Sequence, residues 1–260
     1  MVATEGKIDP MHQFMIEPIA RLDVAGYDIS FTNSSLWMLI VLGTLWIFML
    51  GGMRGAVVPG RWQVAVEGVY NFIASMISQN IGPEGKKFVP LIFSLFMFIL
   101  VANLVGMLPF GIVPGVHPFT VTSHLTVTGI LAILSFGTVL IVGFARHGFH
   151  FFSLFVPQGA PWWMMPIIVP VEFVSFLVRP FSLALRLFVA MTAGHILLKV
   201  LAGFIIKAAA AGVGAGVLIG GATFALMLGI TALELLVCAI QAYVFALLTS
   251  LYLNDAVNLH

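Results

Sequence analysis

Apolar runs long enough to cross a lipid bilayer recur along this chain, and no other feature limits its fold so strongly. A spanning helix needs about 20 mostly apolar residues. The 260 residues are 61% apolar and only 8% charged, whereas a soluble globular domain carries about 25% charged residues. A chain this poor in charge cannot be solvated by water over its whole surface. The expectation is an all-α membrane protein with the bilayer as its solvent, because helices satisfy every backbone group internally.

The runs separate cleanly. Residues 36–53 form the first span, closed by Gly51, Gly52 and Arg54. Residues 61–80 mix Arg61, Glu67, Asn71 and Gln79 with apolar residues, a pattern that suits an amphipathic helix lying at the interface. Residues 88–108 are the second span and 124–145 the third. Residues 146–166 carry His147, His150, Trp162, Trp163 and prolines, and read as an interfacial connection with an aromatic belt. Two very long stretches follow, 167–207 and 217–253, joined by the Gly/Ala-rich AAAAGVGAG. Both exceed a perpendicular span, and tilt can absorb the excess. The expected fold is therefore about five membrane-embedded helices plus one interfacial helix, the last two forming a strongly tilted antiparallel hairpin. It is read as one membrane domain over 1–260: an N-terminal segment 1–35, early helices over 36–166, and the hairpin over 167–257.

Sidedness follows from the loops. Residues 1–35 hold five acids and no apolar core of the kind a signal peptide needs. With alternating helices, Arg54, Arg61, Lys86, Lys87 and Arg146 fall on one side, which the positive-inside rule assigns to the cytoplasm. The N-terminus is then outside and the C-terminus inside. The net charge of +1 gives no basic patch for nucleic acid. The one cysteine, Cys238, reads as a packing residue and excludes an intramolecular disulfide. No internal repeat or inverted pair of halves is visible, which disfavours a secondary transporter.

Ionisable residues inside the last two runs stand out: Glu172, Arg179, Arg186, His195, Lys199 and Glu234. A charge at the bilayer centre costs about 2.5–3.5 kcal/mol on the insertion scale, so such residues face a protein interior or a wet cavity. Arg179 and Lys199 lie nearer the expected helix ends, where snorkelling accounts for them. Glu172 and Arg186 are about four turns apart and share a face. His195 lies about 13.5 Å beyond Arg186 and about half a turn out of phase. On the partner helix, Glu234 and Gln241 share a face.

In an antiparallel pair, facing residues have a nearly constant index sum. Arg186 with Gln241 and His195 with Glu234 give almost the same sum, and both set the turn near residue 214, inside AGVGAG. His195 with Glu234 can carry a proton near neutral pH, or can be a buried hydrogen-bonded structural pair. Arg186 keeps its proton under working conditions. It cannot relay protons, but it can hold a carboxylate ionised and block direct leakage. No acid of this chain stands at its depth, so its counter-charge is expected from another subunit.

These residues resemble a known family. RPFSLALRLFVAMTAGH, followed by ELLVCAIQAYVFALLTSLYL, is similar to the motifs of the F-type ATP synthase subunit a family. ANLVGMLPF fits its Asn-Leu-x-Gly-x-x-Pro motif, and the N-terminal ATEGKIDPMHQF is similar to its alphaproteobacterial branch. The resemblance covers the chain from about residue 30 to the end. It implies that Arg186 is the arginine facing the carboxylates of the c-ring and that Gln241 is the glutamine beside it. His195 and Glu234 would form a proton-access pair in the mitochondrial-like arrangement. Glu172 would line the other path, and Asn103, Ser182 and Tyr243 are further candidates for the channel lining. One departure is Ala190, where many relatives carry asparagine.

What the resemblance implies is a proton-conducting stator subunit with two offset half-channels. Protons would enter through His195 and Glu234, ride the ring as neutral carboxyls, and leave past Glu172. The implied partners are the c-ring, peripheral-stalk b-type subunits and lipid, with no cofactor and no catalytic centre in the chain itself. The implied location is the bacterial inner membrane, with the mitochondrial inner membrane as the alternative. Rival readings are a stand-alone transporter or channel and a structural membrane scaffold. The Gly/Ala/Ser content of the last helices suits close approach to a neighbouring helix and equally packing within the hairpin.

Overall fold

The computed structural model describes residues 15–16, 18–20, 23–24, 27–28, 30–53, 60–108, 120–156, 162–210 and 213–258. Arg54 and most of the 109–123 loop lie outside the described residues. So do residues 211–212 between the last two helices; the second of these helices already begins at Val213, so residue 214, where the glycine-rich turn is expected, is helical.

Among the described residues, six α-helices carry the fold. They are α1 (Asn33–Gly52), α2 (Arg61–Ile81), α3 (Val89–Met107), α4 (Leu125–His147), α5 (Met165–Ala210) and α6 (Val213–Val257). Among the described residues, five helical stretches are long and apolar enough to cross a membrane, and α2 is not among them. The mixed stretch read as amphipathic is thus a separate helix, buried along Val66, Ile73, Met76, Ile77 and Ile81. Local chemistry sets several boundaries. The Thr32 hydroxyl accepts from the Ser35 N–H at the start of α1, satisfying one of the donors a helix start leaves unpaired. Gly82, at φ +83°, ends α2, a conformation that glycine adopts at no steric cost.

Two features were not anticipated. Short antiparallel pairs precede α1: Pro18–Ala20 with Phe31–Thr32, and Asp23–Val24 with Tyr27–Asp28. The connection after α4 is also more ordered than a simple loop, continuing as 3-10 turns at Gly148–Phe155 and Trp162–Met164.

The long helices α5 and α6 meet along their length. Arg179 bonds Asp255, the Met191 sulfur lies 3.8 Å from that of Cys238, and His195 faces Glu234. Residues later in α5 meet residues earlier in α6, the order an antiparallel pairing gives. The core lies where α3, α4, α5 and α6 converge, around Ile99, Leu187, Met191, Cys238 and Phe245. Polar bonds stitch α6 into it: Ser135 with Thr249 at 2.8 Å from α4, and Asn80 with Ser250 at 2.8 Å from α2. Cys238 is buried among the sulfurs of Met107 and Met191, as a packing residue.

One end of the bundle gathers helix termini and cations. Arg146 pairs with Glu84 in the 3-10 turn Pro83–Phe88, which also carries Lys86 and Lys87. Arg146 and His147 both reach the carbonyl of Val257 at the end of α6.

Candidate functional site

Two polar clusters form along α5, one on each side of Arg186. The first is built where α5 and α6 meet the end of α3. His195 is largely buried, and its Nδ1 stands 3.9 Å from Glu234 Oε1. Glu234 is 3% exposed, and among the described residues neither of its carboxylate oxygens has a hydrogen-bond partner. A buried polar group without a partner is costly, so its presence calls for an explanation. The other ring nitrogen, Nε2, lies 2.6 Å from the hydroxyl of Thr120. Lys199, one turn further along α5, is within electrostatic reach of His195.

Two glycines make the space. A Cβ at Gly194 would overlap the Glu234 carboxyl, and one at Gly106 would overlap the Thr120 side chain. The 3-10 turn Val121–Ser123 sits directly beside this cluster. Thr122 donates to Asn103 Oδ1 at 2.7 Å, and Asn103 Nδ2 donates to the Cys238 carbonyl at 3.3 Å. Asn103 is therefore fully buried and bonded on both sides, a tie between α3, α6 and the turn.

The second cluster surrounds Arg179. Its guanidinium bonds Asp255 at 2.8 Å and lies 3.7 Å from Glu172. It also stacks over the rings of Phe176 and Tyr252, the geometry of a cation–π contact. Beyond the snorkelling expected of it, Arg179 holds two carboxylates, one from each long helix. The sequence carried a signal that went unused, since Arg179 falls midway between Glu172 and Arg186 at seven-residue spacing, on the same helix face.

Arg186 lies between the clusters. It is exposed on α5, and among the described residues it forms no hydrogen bond or ion pair with a carboxylate. Tyr252 is within electrostatic reach of both Arg179 and Arg186. Gln241 is half-buried on α6, and the described residues record no bond between it and Arg186. Ser182 is exposed one turn before Arg186. Tyr243 is half-buried with its ring tilted against Phe72 of α2 at 5.5 Å, which ties it to that helix. Ala190 is half-buried and packs against the core.

Of the residues singled out from sequence, His195 and Glu234 are thus adjacent, and Glu172 joins an ion cluster. Arg186 stands apart from every acid described. Thr120, Asp255, Gly106 and Gly194 were missed. Asp255 lies fourteen residues after Gln241, twice the seven-residue step from Glu234 to Gln241, so the three share a helix face and Asp255 could have been read. Thr120 lies at the end of an uncharged loop, where nothing local marks it.

The family model described as ATP synthase A chain matches residues 34–254. "ATP synthase subunit a" of Rhizorhabdus wittichii is 66% identical over 262 residues, covering all of both chains. The protein of the same name from Sphingopyxis alaskensis is 63% identical over 262 residues, again covering both completely. That of Rhodospirillum rubrum is 49% identical over 252 residues, covering 96% of this chain and 99% of its own.

Proposed function

The chain belongs to the F-type ATP synthase subunit a family, and from that premise we propose that it conducts protons past a c-ring through two offset half-channels in a bacterial inner membrane. His195 and Glu234 form the inlet from the periplasmic side. The 3.9 Å between them exceeds a hydrogen bond and is closed by a side-chain rotation or one bridging water. Glu234 hands the proton to a ring carboxylate, which becomes neutral and crosses the lipid-facing arc without the cost of a buried charge. The outlet to the cytoplasm runs past Glu172, with Arg179 and Asp255 at its mouth. Gln241 and Ser182 flank Arg186 on the ring-facing side.

The observation that carries this reading is the contrast between two arginines on one helix face. Arg179 is neutralised by two acids of its own chain, while Arg186 has none among the described residues. An arginine within a membrane span needs a counter-charge, and a carboxylate on a neighbouring ring supplies one. Because a guanidinium does not deprotonate, Arg186 favours the ionised ring carboxylate and bars a direct path between the half-channels. Peripheral-stalk subunits would hold the chain still against the ring.

The test is ATP-driven proton pumping by the reconstituted complex. Arg186→Ala is expected to abolish coupled pumping, and His195→Ala with Glu234→Ala to block it from the inlet side. Normal coupled pumping by the arginine variant would sink the proposal in favour of a scaffold. Ion flux by the isolated chain without a ring would favour a stand-alone channel.

A further inference from the structure

We propose that Thr120 is the positioning residue of the inlet: its hydroxyl holds the Nε2 edge of His195 and so reserves the Nδ1 edge for Glu234. This rests on the inlet role proposed above for the His195–Glu234 pair. The contact is short, 2.6 Å, and Thr120 is 5% exposed, so no bulk water competes for it. The hydroxyl is also held in place from several directions. Ser123 Oγ donates to the Thr120 carbonyl at 2.6 Å. Thr122 is tied through Asn103 to α6, the helix of Glu234. Thr192 of α5, the helix of His195, donates to the Ser123 carbonyl at 3.5 Å. Gly106 leaves the room that the Thr120 side chain fills.

The chemistry requires this kind of partner. A neutral imidazole presents one N–H and one lone pair, and the two exchange places when a proton passes through the ring. A hydroxyl both donates and accepts, so it satisfies Nε2 in either state. Glu234 can do the same at Nδ1, as carboxylate or as acid, once the 3.9 Å gap is closed. When a doubly protonated ring gives its Nδ1 proton to the Glu234 carboxylate, the neutral ring keeps its Nε2–H on the Thr120 hydroxyl, so that nitrogen is not stranded, a loss that would otherwise carry the full desolvation penalty. Valine keeps the volume of threonine and removes both functions. Serine keeps both.

The experiment compares Thr120→Val, Thr120→Ser and the parent in the reconstituted complex. It uses ATP-driven proton pumping and solid-state 15N spectra of histidine-labelled protein, with the His195 signals assigned by their loss in His195→Gln. Thr120→Val is expected to slow pumping by about tenfold, the scale of one lost buried hydrogen bond, and to shift the Nε2 resonance away from its hydrogen-bonded position. Thr120→Ser is expected to pump within about twofold of the parent and to keep that resonance. Parent-like pumping with unchanged ring nitrogens in Thr120→Val would overturn the inference, as would a serine variant as impaired as the valine one. If Thr120→Val does not assemble, Thr120→Ala is judged by the same criteria. Parent-like pumping by Thr120→Val beside a silent His195→Ala/Glu234→Ala variant removes Thr120 alone. Parent-like pumping by that double variant removes the inlet itself.

Discussion

Single atoms decide the inlet, and Gly194 shows how closely. Replacing a helical glycine by alanine ordinarily favours the helix by about 1 kcal/mol. At Gly194 the added Cβ would overlap the carboxyl of the buried Glu234, and overpacking of that kind costs about 1–3 kcal/mol. The clash wins because Glu234 has no exposed direction in which to retreat. Gly194→Ala is expected to lower the thermal stability of the complex and to cut proton pumping several-fold, both read in proteoliposomes. Gly129→Ala is the control. It lies inside α4 with nothing within 4 Å of its added Cβ, and should be neutral or slightly stabilising. At this scale the sequence was legible where charge met an apolar helix. His195 and Glu234 declared themselves by their cost in a membrane and by their matched spacing. Thr120 could not, because a threonine at a loop end costs nothing wherever it lies, and only the folded chain brings it to the ring nitrogen. The ion pair of Arg179 with Glu172 follows from their seven-residue spacing on one helix face, whereas its pairing with Asp255 needs the fold.

Among the elements, α3 and α6 depend on one buried side chain. Asn103 accepts from Thr122 and donates to the Cys238 carbonyl, and both Asn103 and Thr122 are fully buried. Asn103→Leu leaves the Thr122 hydroxyl buried without its acceptor, at a cost of about 1–3 kcal/mol. The expected outcome is a lower unfolding temperature of the purified complex, with Thr122→Val in the same background restoring part of the loss. Failure of the second substitution to restore anything would place the cost elsewhere. Element identity was largely readable from sequence, because helices in a bilayer must be long and apolar. The mixed stretch of α2 was equally plain from its polar spacing. The strand pairs before α1 were not, since two- and three-residue strands are too short for an alternating pattern to register. The 3-10 turns after α4 escaped for a related reason: helical period and proline content pull in opposite directions there.

For the whole molecule, what matters is the distance between the two clusters. From Glu172 to His195 is twenty-three residues of continuous helix, about 35 Å of rise, against a hydrocarbon core of about 30 Å. The two clusters are therefore well separated along α5, with Arg186 about 21 Å of rise from Glu172 and about 13.5 Å from His195. The end that holds Arg179 and Asp255 also holds Arg146, Lys86 and Lys87, cations that favour the cytoplasmic face. The sidedness we propose therefore puts the Arg179 cluster at the cytoplasmic face, as the loop charges suggest, while tilt in a bilayer also depends on neighbouring helices. The prediction is a one-sided labelling pattern in sealed vesicles, made in a Cys238→Ala background. Glu172→Cys should react with a membrane-impermeant maleimide added from the cytoplasmic side. Ala193→Cys, exposed two residues before His195, should react from the periplasmic side. Each should stay unlabelled from the opposite face if, as proposed, Arg186 and a ring carboxylate stand between the two paths. Labelling of both positions from one side would mean a single continuous channel, and no such channel could drive a rotor.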